Sequence, residues 1–177
     1  MVAKKASRFE VGDYIVHHYY GVGKVIDVVE KGLGSDKNTF YKVYTDNITY
    51  WIPIDNEQTD HIIPIRSKAL FNKALNVLSQ PPEPIANHHK TRKKRIHERW
   101  LKGTLTSRAK LLRDLYGRLK TESLSFSEKQ MMEKVRRHYI NEWIKSDESM
   151  NKKTAKKKLR NALAESIAKL KEDQKTQ

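Results

Sequence analysis

Along the chain, the spacing of hydrophobic positions changes once, near residue 66. Before that point apolar and polar residues roughly alternate, as in a strand with one buried face. FEVGDYIVHH alternates loosely and carries the turn pair Gly12-Asp13, KVIDVVEK is rich in β-branched residues, and KGLGSDKN is a turn cluster. TFYKVYTD and ITYWIPI are two further alternating runs, with Asp46-Asn47 between them suited to a tight hairpin. Short strands on short turns, with no helix between them, predict antiparallel pairing in a small barrel or curled sheet.

From Ser67 onward the period becomes helical. SKALFNKALNVLSQ puts Leu70, Phe71, Ala74, Leu75 and Leu78 on one stripe, and QPPEP ends it because proline lacks a donor and restricts the residue before it. A second helix is predicted from near His88 to about Leu101, with Gly103 as terminator. A third carries Leu105, Ala109, Leu112, Leu115, Tyr116 and Leu119, and Gly117 lies inside it at roughly 1 kcal/mol relative to alanine. Ser125 with Glu128 makes a capping box, opening a helix with Met132, Val135, Tyr139 and Trp143 on its buried side. The last segment, from about Asn151 to Leu170, lines up Ala155, Leu159, Ala162, Leu163 and Ile167. The predicted architecture is α+β: a small antiparallel β barrel over residues 1–66, then an all-α bundle of about five helices over residues 67–177.

Charge separates the same two segments. Residues 1–66 hold 8 Lys/Arg against 9 Asp/Glu, a net −1, and the remaining 28 against 12 give +16. A balance this basic points to an anionic partner, most often nucleic acid. Between His88 and Arg113 there are ten Lys/Arg and one acid, Glu98. The run opens as HHKTRKKR, placing His88, His89, Lys90, Arg92, Lys93, Lys94 and Arg95 directly after the proline break. Three readings fit it: a solvated helix face, a surface for phosphates, or a surface for a membrane or an acidic protein. Exposed faces usually mix signs, which favours the second. Contacts of that kind are largely sequence-independent and salt-dependent.

Other chemistry is excluded or thin. The absence of cysteine removes disulfides, thiolate metal sites and cysteine nucleophiles. GVGKV lacks the third glycine of a dinucleotide fingerprint and leads into a strand. The adjacent pairs His17-His18 and His88-His89 do not have metal-ligand spacing. With no nucleophile elbow and no carboxylate pair, the expectation is a non-enzyme with no catalytic residues, metal, cofactor or small-molecule substrate. No apolar run reaches the roughly 18 residues of a membrane span, and no apolar segment follows Lys4 and Lys5 as in a secretory signal. A cytoplasmic, nucleoid-associated protein is expected. Tyr50 and Trp51 are adjacent, so in a strand only one of them faces the core, and Pro53 beside them suggests an edge strand. The outward ring either receives a partner's strand or covers a barrel end.

The order of these elements resembles the CarD-like bacterial transcription regulators over nearly the whole chain. The resemblance is carried by FEVGDYIVHHYYGVGKV, ITYWIPIDN, LLRDLYGRL and LSFSEKQMMEKVR. The first half is also similar to the polymerase-interacting module of the transcription-repair coupling factor. The resemblance implies a Tudor-like barrel docking on the RNA polymerase β subunit through Lys31 and Trp51. It also implies a helical domain on double-stranded promoter DNA at the upstream edge of the bubble, using Arg92, Lys94 and Lys129, and stabilising the open complex. The family admits arginine at both polymerase-contact positions, so tryptophan at 51 would make that contact apolar or stacking. Its pattern has a wedging tryptophan where this chain has His89, so phosphate grip is expected with weaker wedging. The competing expectation is a general nucleic-acid-binding protein without polymerase contact.

Overall fold

The two hydrophobic periods fold as two units, Met1–Ile65 and Arg66–Gln177. The computed structural model describes residues 8–32, 38–54 and 61–176. The first unit has strands β1 (Tyr14–His17), β2 (Gly21–Lys31), β3 (Asn38–Tyr44), β4 (Thr49–Pro53) and β5 (Ile62–Pro64). The second has helices α1 (Lys68–Leu78), α2 (His89–Leu101), α3 (Leu105–Thr121), α4 (Phe126–Ser146) and α5 (Lys152–Thr176). The class is therefore α+β.

The five strands form one antiparallel sheet in the order β4-β3-β2-β1-β5. Alternation buries Ile15, Val25, Tyr41, Val43, Tyr50, Ile52 and Ile62 against Phe9. The eleven-residue β2 pairs with β1 at its start and with β3 over most of its length, and the register shifts between Val25 and Asp27. A bulge of this kind bends a strand and lets one long element serve both neighbours of a curled sheet. Gly21 and Gly23 pair with His17 and Ile15, so GVGKV is the start of β2 and not only a turn. Asp46 and Asn47 tip the β3–β4 hairpin as expected. The Thr45 N–H donates to the Ile48 carbonyl (2.9 Å), and the Thr45 hydroxyl accepts from the Ile48 N–H (3.1 Å). The three-residue β5 was not foreseen; a proline-ended segment that short gives no period to read. Much of the expected KGLGSDKN turn lies outside the described residues.

In the helical unit the five apolar stripes close one core, centred on Phe71, Leu111, Leu115, Val135, Tyr139 and Trp143. Leu70, expected on the α1 stripe, is 45% exposed, and Leu75 only packs against the core's edge. Gly103 follows α2 with φ +64°, the left-handed terminator anticipated from its position. At Gly117, buried within α3, a Cβ would lie 2.4 Å from the Cβ of Pro82, so the proline loop packs against bare helix backbone. That loop is also pinned by polar contacts: the Glu83 N–H donates to Asp114 (2.9 Å), and the Arg113 guanidinium pairs with the Glu83 carboxylate at 2.9 Å. The capping box forms. The Ser125 N–H donates to Glu128 (2.7 Å), and the Ser125 hydroxyl accepts from the Glu128 N–H (3.4 Å). α5 runs past Leu170 because nothing in KEDQKT breaks a helix, and its Ser166 hydroxyl donates to the Gln80 carbonyl (2.6 Å).

Candidate partner surfaces on the two units

On the β unit, alternation along β4 sends Tyr50 inward and Trp51 outward. Tyr50 is only 9% exposed and packs on Tyr20 and the edge of the His17 ring. Burial, with Tyr20 beside it, raises its hydroxyl pKa well above the ordinary value. Tyr50 is thus a core ring, and the expectation that it meets a partner gives way to a structural role. Trp51 is 44% exposed on β4, which is an edge strand among the described residues, as Pro53 suggested. The Lys31 ammonium lies over the Trp51 ring, 3.7 Å from its centroid. The two positions singled out for polymerase contact are therefore one feature: an indole with a cation on its face, held by roughly 0.5–1 kcal/mol at an exposed site. Pro53 is half-buried opposite Phe40 on the same edge.

The turn between β1 and β2 is organised by His17. Its Nδ1 accepts from the N–H groups of Tyr19 (3.0 Å) and Tyr20 (3.3 Å), and its ring stacks on Tyr20 at 4.5 Å. Burial, then His61 and His18 nearby, lowers its pKa to about 4, so it is neutral at pH 7. A neutral imidazole acceptor is what the two N–H donors require.

On the helical unit, the basic run is divided by the helical period. Lys90, Lys93 and Lys94 are exposed and, with His89 and His97, edge a groove of about 690 Å³ between α2 and the start of α4. Ile96 and Met131 form its apolar lining. His88 is the exposed N-cap of α2 and makes no side-chain cap bond. Arg95 and Lys129 are exposed but do not line the groove. Arg92 points the other way. It is 7% exposed, pairs with the buried Glu128, and donates to the carbonyls of Ala86 (3.1 Å) and Asn87 (2.6 Å). With its Nε and Nη1 groups committed to these acceptors and its side chain only 9% exposed, Arg92 fastens the loop before α2 onto α4, and its expected backbone contact gives way to that structural role. Burial would raise the Glu128 pKa, but the hydrogen bonds from Arg92 and Ser125 and the Arg92 charge outweigh it and hold the carboxyl below its ordinary value.

The first turn of α2 contains no acid. The N-terminus of a helix carries partial positive charge and unpaired N–H groups, so acids there stabilise and cations do not. Here Lys90 and the two histidines sit at that end, an arrangement that is unfavourable alone and favourable against an anion. One further feature has no counterpart in the sequence reading. Phe126 is 77% exposed on the first turn of α4. It is nine residues from Val135, half a turn out of phase with the buried stripe, which the capping box already implied. The basic stretch KKTAKKKLR of the last helix, open in the sequence to packing on the bundle, binding DNA or fraying, forms a cationic edge on α5 from Lys153, Lys156, Lys157 and Arg160 beside a separate groove.

Among the described residues no helix is long and apolar enough to cross a membrane. Residues 9–66 match the sequence model of the family described as CarD-like/TRCF RID domain. Residues 73–160 match that described as CarD, C-terminal domain. A Bacillus subtilis (strain 168) protein described as "Putative transcription factor YdeB" is 24% identical over 136 residues, 76% of this chain and 89% of that protein.

Proposed function

This chain belongs to the CarD-like family of transcription regulators, and from that premise we propose that it bridges RNA polymerase and promoter DNA. The Tudor-like β unit binds the polymerase β subunit through Trp51 and Lys31, with Pro53 on the same edge. The helical unit rests on double-stranded promoter DNA at the upstream bubble edge through His88, His89, Lys90, Lys93, Lys94, Arg95 and Lys129, and the open complex is stabilised. The observation that carries this reading is the cation-edged groove at the acid-free start of α2. Tethering through the β unit raises the effective concentration of a DNA surface that needs little sequence preference of its own.

The test is the lifetime of the open complex on a promoter fragment after competitor challenge. The protein is expected to lengthen it, and His89→Trp to lengthen it further by restoring an apolar wedge, with a few kcal/mol of unstacking at stake. An unchanged lifetime with both proteins refutes the proposal. Capture of the isolated β subunit separates it from a general nucleic-acid-binding role: wild type binds, and Trp51→Ala binds at least several-fold more weakly while remaining folded.

A further inference from the structure

The helical unit has a second cationic region, on the opposite side of α4 from the groove described above. Ser127 and Met131 face the α2 groove, whereas Met132, Arg136 and Ile140 line a trough of about 670 Å³ between α3, α4 and α5. Its floor is apolar: Leu112, Ile140 and Leu159 are buried, and Tyr116, Leu119 and Met132 remain half-exposed above them. Its edge is Lys153, Lys156, Lys157 and Arg160 from α5, facing Arg136 from α4. The acid lining it, Glu133, is held by Arg136 at 3.0 Å. The four α5 cations make no ion pair among the described residues. Their positions recur at every turn of one helix edge, over about 10 Å of axis at 1.5 Å per residue.

We propose that this trough is a docking site for an acidic amphipathic helix of a partner protein. The apolar floor receives bulky side chains spaced i, i+3/i+4, i+7, and the carboxylates flanking that stripe meet the α5 lysines and Arg160. The combination selects this occupant over two others. A duplex presents hydrated phosphates and has nothing to fill an apolar trough, so DNA would leave the floor wet. A second copy of this chain, at +15 net charge, brings cationic helices to a cationic edge, and none of its five helices is acidic. The proposal does not depend on polymerase or promoter binding.

The experiment uses the full chain and fluorescence anisotropy with three probes. The first is an 18-residue labelled peptide with Leu and Phe on one helical face and Glu beside them. The second is its scrambled isomer, of the same composition and charge but with no apolar face. The third is a 20-base-pair duplex as competitor. The amphipathic peptide is expected to bind at least tenfold more tightly than the scramble. Lys153→Glu combined with Lys157→Glu, both exposed, is expected to weaken it tenfold or more with unchanged melting. Leu119→Glu is a second probe of the floor. Equal binding of the two peptides overturns the proposal, as does no binding, indifference to the α5 charge reversal, or displacement by stoichiometric duplex.

Discussion

Replacing Arg92 with alanine separates a phosphate contact from a structural one. The Arg92 and Glu128 side chains are 9% and 5% exposed. Removing one partner of a buried pair costs about 3–5 kcal/mol, because the other charge stays buried and unpaired. Two features place this case near the lower end. Glu128 keeps the Ser125 N–H at 2.7 Å, and its charge sits in the first turn of α4, where the helix dipole favours it by up to about 1 kcal/mol. Asn87, whose carbonyl also loses a donor, is exposed, so water replaces it. The expected loss is about 3 kcal/mol, on the order of 10 °C in Tm. Lys94 is the control. Its side chain is 79% exposed with a loose 3.9 Å approach to Glu98, so Lys94→Ala changes stability by no more than about 0.5 kcal/mol. The same substitution should lower the salt slope of DNA binding by about 1. Thermal melts and DNA titrations at several salt concentrations give both readouts. If Arg92→Ala melts like wild type and takes one unit off the salt slope, the structural assignment is wrong. Acid gives a second check. The folded Glu128 pKa lies below its ordinary 4.5, so the pair's contribution is complete above pH 4.5 and is lost as pH falls through the folded value. The gap in stability between wild type and Arg92→Ala should therefore narrow below pH 4.5.

Other expectations follow from the same geometry. Gly117→Ala gains roughly 1 kcal/mol of helix propensity, but its Cβ meets the rigid Pro82 ring at 2.4 and 2.6 Å, and overpacking costs about 1–3 kcal/mol. A lower urea midpoint is expected; a higher one would mean the proline loop moves freely. The His17 pKa falls from 6.5 to about 4 on folding, so its contribution is complete above pH 6.5 and declines as pH drops towards 4. His17→Asn keeps an acceptor for the Tyr19 and Tyr20 N–H groups and should flatten that dependence in melts of the β unit. Lys129→Ala should weaken binding to unrelated duplexes by similar factors, and a strongly sequence-dependent loss would contradict a backbone contact.

Much of the fold was legible because period and punctuation agreed. The alternation around Tyr50 and Trp51 assigned one ring to each face, and Ser125 with Glu128 marked the start of α4 to the residue. Where reading stopped, the cause was tertiary. Gly117 looked like a flaw in α3 until Pro82, 35 positions earlier in the chain, came to rest on it. Leu70 fits the α1 stripe by spacing, yet neighbouring helices cover only Phe71, Ala74 and Leu78. Lys31 and Trp51 were each singled out, but their stacking across β3 depends on a curl that neither segment encodes alone.

The basic run shows what counting charge leaves out. From His88 to Arg113 it holds five arginines and five lysines, and the fold uses the two differently. Arg92, Arg108 and Arg113 are buried and Arg99 is half-buried, each paired with an acid of the bundle. Lys90, Lys93, Lys94 and Lys102 are exposed. A planar guanidinium with five donors can satisfy a buried carboxylate and nearby carbonyls together, as Arg92 does, whereas an ammonium is too strongly hydrated to bury cheaply. The net +9 of this run is therefore not nine units of DNA-facing charge. Arginines hold the bundle together through Glu83, Asp114, Glu128 and Glu142. The charge left for a partner is mostly lysine, mobile and hydrated, which suits contact with phosphates of any sequence better than bidentate reading of bases.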